Sequence, residues 1–282
     1  KLVATIRNCN FGKDTNLAIF ADETAAIRII TEWLTGEPFL LDGSASLKNG
    51  NNVTITDSLD SSVNETQASL IAKHLIPHTV IANVSSNNFI NAVMFASSFD
   101  VSRSPVGLLQ IEGNVFEYRE LVQKVGRPVP SGNHFMDTEN DWFISLGIGT
   151  VGAKGKNSGL GIVGNKFLCM ELVTTTRMCW NIMLSGRILM SNGGSFYVRE
   201  NNYTAFSRML PRGIQIHLSG VVLKHGSFFS FGPSNRFDLY TPSTAECMGI
   251  NFNAAPIVVR ERSIFTFFKN FFNANCASST SA

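Results

Sequence analysis

Hydrophobic residues in the second half of the chain fall in short runs separated by turn residues. Runs such as 142–149 (WFISLGIG), 195–200 (SFYVRE) and 236–241 (RFDLYT) have the length and composition of strands. The breaks between such runs carry Asn, Gly, Pro and Ser, as at residues 191–194 and 232–235. Many short strands with no helix between them predict an antiparallel β-sandwich or jelly roll.

The first half of the chain mixes strand patterns with two helix patterns. Residues 22–34 (DETAAIRIITEWL) begin with acidic residues, place apolar residues on one helical face, and are followed by Gly36 and Pro38. Residues 64–76 have Asn64 at a capping position and Pro77 as a stop. A further short helix is predicted at 117–125. Strands are predicted at 2–6, 17–20, 53–57, 79–84, 89–95 and 106–111.

These patterns divide the chain into three regions. Residues 1–127 are predicted to form a mixed α/β region with two short helices, and 128–260 the jelly roll. Residues 261–282 contain a Phe-rich segment, RSIFTFFKNFFN, followed by a small polar tail. The segment fits an anchor onto another surface and a last core element equally well. All three regions are also compatible with one single domain.

Composition favours a protein whose surface is covered by partners. Charged residues are only 16% of the 282-residue chain, against about 25% in ordinary soluble domains. The net charge is +2 and no run of basic residues occurs, so no strong nucleic-acid-binding signal is present. The aromatic residues are mostly Phe, 22 against four Tyr and three Trp, which favours packing over ligand stacking.

Targeting signals are few. No stretch of about 18 apolar residues occurs, so no transmembrane segment is predicted. The sequence starts with KLVAT and ends with ASSTSA, which indicates a product cut from a precursor or polyprotein, or a trimmed chain. Four glycosylation sequons occur, at Asn52, Asn64, Asn83 and Asn202, about as many as composition alone would give.

The five cysteines suggest neither a disulfide scaffold nor a zinc site. Their number is odd and no C-x-x-C pair occurs. Cys169 and Cys179 could face each other across a hairpin, but buried free thiols are the favoured interpretation. The others are Cys9, Cys247 and Cys276.

A glycine pattern at residues 146–164 (LGIGTVGAKGKNSGLGIVG) raises the question of nucleotide binding. Gly147, Gly149 and Gly152 match G-x-G-x-x-G after a strand-like run. A dinucleotide site also needs a helix after the turn, and glycines continue at 155, 159, 161 and 164, where each would cost a helix about 1 kcal/mol. The sequence therefore predicts a glycine-rich connection between strands, at a surface or subunit contact, with no bound nucleotide.

No other constellation predicts chemistry. His74 and His78 are separated by Pro77, which breaks the helix that paired metal ligation would need. His217 lies within a strand pattern and is expected on a sheet face. The polar segment 134–141 (HFMDTEND) lacks the spacing of a calcium loop and is expected to be a solvated loop. We predict no catalytic, cofactor-binding or metal-binding residues and no cofactor.

Residues 166–253 resemble the trimeric jelly-roll heads of the tumour necrosis factor and complement globular-head superfamily. The resemblance is carried by MCWNIMLSGRILMSNGG, IHLSGVVLKHGSFFSFG and ECMGINFN. The family has Gly-Asp in a turn where this sequence has Gly226 and Ser227. The resemblance implies a jelly roll that can form oligomers.

Together these features predict a non-enzymatic structural subunit of a larger assembly. A viral capsid protein located in the virion is the favoured version, with copies of itself or sister subunits as partners. The alternative is a secreted or surface attachment head, such as a pilus-tip, fibre or trimeric adhesin, with a host receptor or glycan as a further partner.

Overall fold

The chain forms a parallel β-helix, in which the backbone coils through three sheets and adds one strand to each sheet per turn. The computed structural model describes residues 2–11, 15–21, 27–33, 39–41, 52–57, 79–90, 93–102, 106–120, 142–171, 178–184, 186–206, 211–217, 220–241, 247–253 and 256–276. We call one full turn of this coil a rung.

Each rung places successive strands in sheets A, B and C. Sheet A consists of β1 (Leu2–Arg7), β6 (Asn52–Asp57), β7 (Thr79–Ser85), β10 (Val106–Glu112), β13 (Gly159–Val163), β17 (Ser195–Arg199), β21 (Phe228–Phe231) and β25 (Ile264–Phe267). Sheet B consists of β2 (Asn10–Phe11), β8 (Asn88–Ile90), β11 (Val115–Glu120), β14 (Lys166–Glu171), β18 (Asn202–Phe206), β22 (Arg236–Thr241) and β26 (Phe271–Cys276).

Sheet C is the widest of the three. It consists of β3 (Thr15–Ala21), β4 (Ile27–Trp33), β5 (Phe39–Leu41), β9 (Val93–Asp100), β12 (Trp142–Lys154), β15 (Met178–Leu184), β16 (Ile188–Ser191), β19 (Pro211–His217), β20 (Val221–Leu223), β23 (Met248–Asn253) and β24 (Ile257–Val259). The long strand β12 pairs with both β15 and β16, so later rungs cross this sheet as two strands separated by a bend.

The predicted antiparallel jelly roll is wrong, although the prediction of a mainly β chain is confirmed. Strands of successive rungs pair in parallel, as in β10 with β13 and β14 with β18. Antiparallel pairing among the described strands is confined to the excursion β4–β6, which pairs with β1 and β3. The alternating strand pattern is the same in both folds, because it reports which side chains face the core and not which strand lies alongside.

The predicted N-terminal helices are also contradicted, since the described residues contain no helix. Within 22–34, residues 27–33 form β4 and pair with β3. Within 117–125, residues 117–120 belong to β11. The predicted helix 64–76 lies outside the described residues. In β4 the sequence IRIITEW also alternates with period two and is rich in β-branched residues, which favours a strand.

An aromatic column fills the interior under sheet B. One aromatic ring per rung stacks on the next, with centroid separations of 4.5–5.0 Å and nearly parallel planes. The column runs through Phe11, Phe89, Phe116, Phe167, Tyr203, Phe237 and Phe272. The spacing follows from the distance of about 4.8 Å between paired strands, which places equivalent side chains in van der Waals contact.

A ladder of buried asparagines lines the corner between sheets A and B. Asn165 shows the bonding of an interior ladder residue. Its Nδ2 donates to the Ile111 carbonyl in the preceding rung and to Asn201 Oδ1 in the next rung. Its Oδ1 accepts the backbone N–H of Asn114 in the preceding rung. The ladder residues are Asn87, Asn114, Asn165, Asn201, Asn235 and Asn270. These bonds satisfy the polar backbone of a buried corner, which would otherwise be costly.

The residue before each ladder position has a left-handed backbone. Positive φ values of 50–65° occur in this column at every rung. Glycine occupies it twice, at Gly113 and Gly164, whereas Glu200 and Lys269 adopt the same conformation with a side chain. The column consists of Asn8, Ser86, Gly113, Gly164, Glu200, Ser234 and Lys269. This one conformation turns the chain from sheet A into sheet B and aims the next side chain inward.

Candidate functional site

The C-terminal end of the β-helix exposes apolar side chains that earlier rungs bury. Phe267 and Phe272 are 49% and 50% exposed, whereas Phe231 and Phe237, one rung earlier in the same columns, are fully buried. Other exposed apolar side chains of this end are Ile257, Val259, Ile264, Phe268 and Phe271. Exposed apolar patches of this kind are typical of protein or membrane interaction sites and of ligand-binding grooves.

The aromatic column and the asparagine ladder both end at this rung with groups that a further rung could contact. Phe272 stacks on Phe237 at 4.8 Å and presents its other ring face outward. Asn270 donates to the Phe231 carbonyl and accepts from Asn235, as interior ladder residues do. At interior positions the backbone N–H also donates to the next asparagine, and no described residue follows Asn270 in the ladder. A further rung with Asn and an aromatic residue in register would continue both columns.

The N-terminal end has a different shape. Sheet A ends in the antiparallel strand β6, and sheet C ends in β4 and β5. Sheet B ends in the short strand β2, which carries Phe11 in the aromatic column and follows Cys9 in the ladder position. Sheet B is therefore recessed at this end, because its neighbours on both sides extend further.

A charged pair lies beside the C-terminal end on the outer face of sheet B. Arg236 Nε and Nη2 donate to the two carboxylate oxygens of Asp238 at 2.7 and 3.1 Å. Asn273 Nδ2 donates to the same carboxylate at 3.2 Å. The hydrogen bond from Arg236 is the main reason that the pKa of Asp238 is lowered, and the one from Asn273 acts in the same direction. An open depression is lined by Ser234, Arg236, Phe271, Phe272 and Asn273.

The glycine pattern lies mostly inside a strand and not in a connection. Gly147, Gly149 and Gly152 are buried within β12, and only residues 155–158 form the turn into β13. At Gly159 in the same pattern an added Cβ would lie 1.7 Å from the Ser195 carbonyl oxygen, so the backbone of the neighbouring rung requires glycine there. The pattern therefore reflects close packing between rungs, and no helix follows it among the described residues.

The cysteines depart from the favoured expectation of free thiols. Cys247 and Cys276 form a disulfide with a Cα–Cα distance of 6.1 Å, which ties β26 to the residue before β23. Cys169 is buried and disulfide-bonded, so the favoured expectation of a free thiol is wrong for it. The side chain of Cys179 lies outside the described side chains. Cys9 is buried, and its thiol donates to the Arg7 carbonyl at 3.4 Å.

The other candidate residues are not brought together. His74, His78 and segment 134–141 lie outside the described residues, and His217 is in β19. Asn83 and Asn202, two of the sequon asparagines, are half-buried within strands. Among the described residues no three His, Cys, Asp or Glu side chains are placed to hold a metal ion. In the same part of the chain, no helix has the length and apolarity needed to cross a membrane.

The ladder asparagines and their aromatic partners were missed at the level of sequence. They form a repeated Asn-x-aromatic pattern, with successive asparagines 27, 51, 36, 34 and 35 residues apart. The pattern reads NNF, NVF, NKF, NNY, NRF and NFF. A search for internal repeats is the signal that could have found it.

Comparison of the chain with protein-family models, curated proteins and solved structures finds no match. No relative therefore bears on the resemblance of residues 166–253 to trimeric jelly-roll heads, and the fold that this resemblance implied is replaced by the β-helix. Function is inferred from the geometry of the β-helix and its ends.

Proposed function

We propose that the chain is a non-enzymatic structural subunit of an assembly outside the cell or on a virion surface, in which copies join head to tail into an attachment fibre. The observation that carries this proposal is the uncovered apolar C-terminal rung. Repeat proteins need terminal units with polar outer faces to stay soluble. The last rung of the described residues has an apolar outer face and leaves both columns extendable, so it is suited to receive another rung.

A second copy is the proposed occupant because the described sheets end in edge strands at both ends of the β-helix, and an edge strand can pair with another chain. At the C-terminal end, β25 and β26 extend sheets A and B one rung beyond sheet C. At the N-terminal end, sheet C extends by β4 and β5, sheet A extends by β6, and sheet B ends at β2. Phe11 in β2 is only 5% exposed, so the proposed contact joins β25 of one copy to the edge strand β6 of the next and not β26 to β2.

A head-to-tail contact uses different surfaces on the two partners. Such a heterologous contact does not close on itself unless the rotation between copies forms a ring, so it generates filaments. A filament of β-helices presents long outer faces and connecting segments along its length, which suits attachment to a surface. The argument for a capsid shell from a jelly roll no longer applies, so the fibre form is the one we propose.

The disulfides support a location outside the cytosol. Cys247 and Cys276 are bonded to each other and Cys169 is also disulfide-bonded. Structural disulfides persist in oxidising compartments and are rare in the cytosol. A subunit exposed on a virion or a cell surface meets this condition.

Sedimentation velocity over a range of protein concentrations tests the proposal. We expect the unmodified chain to form species larger than the monomer, in amounts that rise with concentration. Phe267→Glu places a charge on the terminal rung and should restore the monomer. Ile90→Glu is the matched control, because Ile90 is also 49% exposed but lies on the outer face of sheet B in β8, one rung in from the terminal strand β2.

Three outcomes of this experiment are informative. Association that is lost in Phe267→Glu and kept in Ile90→Glu supports the head-to-tail assembly. A wild-type chain that stays monomeric at high concentration contradicts it. Equal loss of association in both variants also contradicts it, because association would then not depend specifically on the exposed terminal rung.

A further inference from the structure

The turns that join sheet C to sheet A form a ridge of positive charge along the β-helix. The four turns lie at 154–158, 191–194, 224–227 and 260–263, each between the last strand of sheet C in one rung and the first strand of the next. Together they carry Lys154, Lys156, Lys224, Arg260 and Arg262. We call these five side chains the basic ridge.

Strand register stacks these turns directly on one another. Lys154 is paired with Ser191, and the adjacent column runs through Ala153, Met190, Leu223 and Val259. Lys224 and Arg260 directly follow Leu223 and Val259 in the chain. Backbone bonds cross the turns as well, from Gly193 N–H to the His225 carbonyl at 3.1 Å and from Gly226 N–H to the Glu261 carbonyl at 2.8 Å. The cations of the first, third and fourth turns are therefore held in a line parallel to the helix axis. Successive turns are about 4.8 Å apart, and the uncharged turn 191–194 separates the cations of the first and third turns by about 9.6 Å.

Acidic side chains do not neutralise the ridge. Lys154, Lys156, Arg260 and Arg262 are exposed, and none of the five cations has an acidic partner among the described residues. Glu261 is the one acidic residue in these turns, and its carboxylate contacts His225 Nδ1 at 2.7 Å. Asp100, in the rung before Lys154, accepts the Ser102 N–H at 3.0 Å.

The charge is localised rather than general. The whole chain has a formal net charge of only +2. The turns between sheets A and B, which stack in the same way, carry one acidic residue, Glu200, and one basic residue, Lys269. A line of unpaired cations on one corner of a nearly neutral molecule attracts a polyanion to that corner.

We propose that the basic ridge binds a linear anionic polysaccharide, such as a sulfated or uronic-acid glycan of a cell surface. A straight row of charges matches an extended chain that carries an anionic group at each repeat. Nucleic acid is the less suited polyanion, because residues 154–158, 191–194, 224–227 and 260–263 contain no Phe, Tyr or Trp on which bases could stack. The disulfides also place the protein where glycans, not nucleic acids, are the abundant polyanions.

The proposal is independent of head-to-tail assembly, since the ridge lies on the side of the β-helix and is present in one copy. A fibre would repeat the ridge along its length and raise the avidity for a long glycan. Loss of assembly in the sedimentation experiment and loss of glycan binding are therefore separate results.

Binding is measured by fluorescence anisotropy with labelled heparin and labelled hyaluronan, which carry sulfate and carboxylate groups respectively. The test variant is Lys154→Glu with Arg260→Glu, and Lys154→Gln with Arg260→Gln removes the charge more mildly. The matched control is Arg7→Glu with Lys166→Glu, which makes the same change in net charge at exposed positions away from the ridge. All variants are first checked for an unchanged melting temperature.

We expect the glutamate test variant to bind at least about tenfold more weakly than the wild type, with a shallower dependence of affinity on salt, because fewer counterions are released. The control should bind within about threefold of the wild type. Weaker binding by the test variant than by the control, seen with heparin alone or with both glycans, supports the proposal and identifies the anionic group. No binding to either glycan at low salt, or equal weakening in test and control variants, overturns it. Tighter binding to single-stranded DNA or to anionic phosphatidylserine vesicles than to either glycan also overturns it.

Discussion

Removing one side chain from the middle of the asparagine ladder should destabilise the whole β-helix. Asn165 is 1% exposed. Its Nδ2 donates to the Ile111 carbonyl at 2.9 Å and to Asn201 Oδ1 at 3.0 Å. Its Oδ1 accepts the backbone N–H of Asn114 at 2.9 Å and the side-chain Nδ2 of Asn114 at 3.0 Å. Asn165→Ala removes all four bonds and leaves a buried corner without them.

The expected cost follows from which groups keep another partner. Asn114 Nδ2 still donates to the Val84 carbonyl, and Asn201 Oδ1 still accepts the backbone N–H of residue 165. The Asn114 N–H and the Ile111 carbonyl lose the partner that Asn165 provides, and each such buried group costs about 1–3 kcal/mol. With smaller losses at the other two bonds, the free energy of unfolding should fall by about 3–5 kcal/mol.

Urea unfolding followed by circular dichroism measures this change. Asn88→Ala is the control, because Asn88 is exposed on sheet B and its side chain bonds only the exposed Asn10. The control should lose no more than about 0.5 kcal/mol. A difference between the two variants below about 1 kcal/mol would refute the ladder as a stabilising element.

Three further predictions follow from single positions. Tyr203→Phe should raise the free energy of unfolding by about 1 kcal/mol in the same urea assay, because the buried Tyr203 hydroxyl has no hydrogen-bond partner among the described residues. Burial also raises the pKa of this hydroxyl well above its ordinary value. A loss of stability would contradict this reasoning. Glu200→Gly should stabilise the protein and Gly164→Ala should destabilise it, each by about 1 kcal/mol, because both positions have φ near 60°. An added Cβ at Gly164 contacts nothing within 4 Å, so a clash is not involved. Melting temperatures that change in the same direction for both variants would show that backbone conformation is not the cause. In an NMR pH titration the pKa of Asp238 should lie below that of an ordinary aspartate, and it should rise in Arg236→Ala. Because the folded pKa is lowered, the stability that this pair contributes is present above the ordinary aspartate pKa. It is lost as the pH falls through the lowered value. An unchanged Asp238 titration in Arg236→Ala would contradict that assignment.

The sequence predicted most strands because alternation of apolar and polar residues is a local property. Residues 106–111 were expected to form a strand, and β10 (Val106–Glu112) alternates between partly exposed and buried positions as that pattern requires. The partner of each strand is not a local property. Parallel stacking depends on Asn114 meeting Asn165 across 51 residues, and nothing near either residue states that distance.

Irregular repeat spacing hid the β-helix. Residues 121–141 separate β11 from β12 and lengthen one rung, so the Asn-x-aromatic pattern does not recur at a fixed interval. The prediction of a helix at 22–34 was wrong because its apolar pattern fits two structures. Apolar residues at Ile27 and Ile30 suit a helical face, but Ile27 and Ile29 also suit alternation, and pairing with β3 decided between them.

The candidate site could not be found from sequence because it consists of apolar residues that are exposed only because no described rung covers them. Phe267 and Phe272 have the same residue type as buried Phe231 and Phe237, and only their place in the last rung exposes them. The Phe-rich segment 262–273 was expected to be either an anchor or a core element. It has the features of both, since its rings continue interior columns and are uncovered on one side.

Distances between spin labels along one outer column of sheet B test the β-helix most directly. Asn10, Asn88, Lys166 and Arg236 lie in the same outward column, connected by the strand registers. Labels attached by chemistry that does not use the native cysteines allow pulsed electron paramagnetic resonance measurements. The rung spacing predicts about 19 Å between positions 88 and 236 and about 24 Å between positions 10 and 236, broadened by the label linkers. Distances that grow with the number of rungs in this way support the parallel β-helix, and distances that do not follow rung order contradict it.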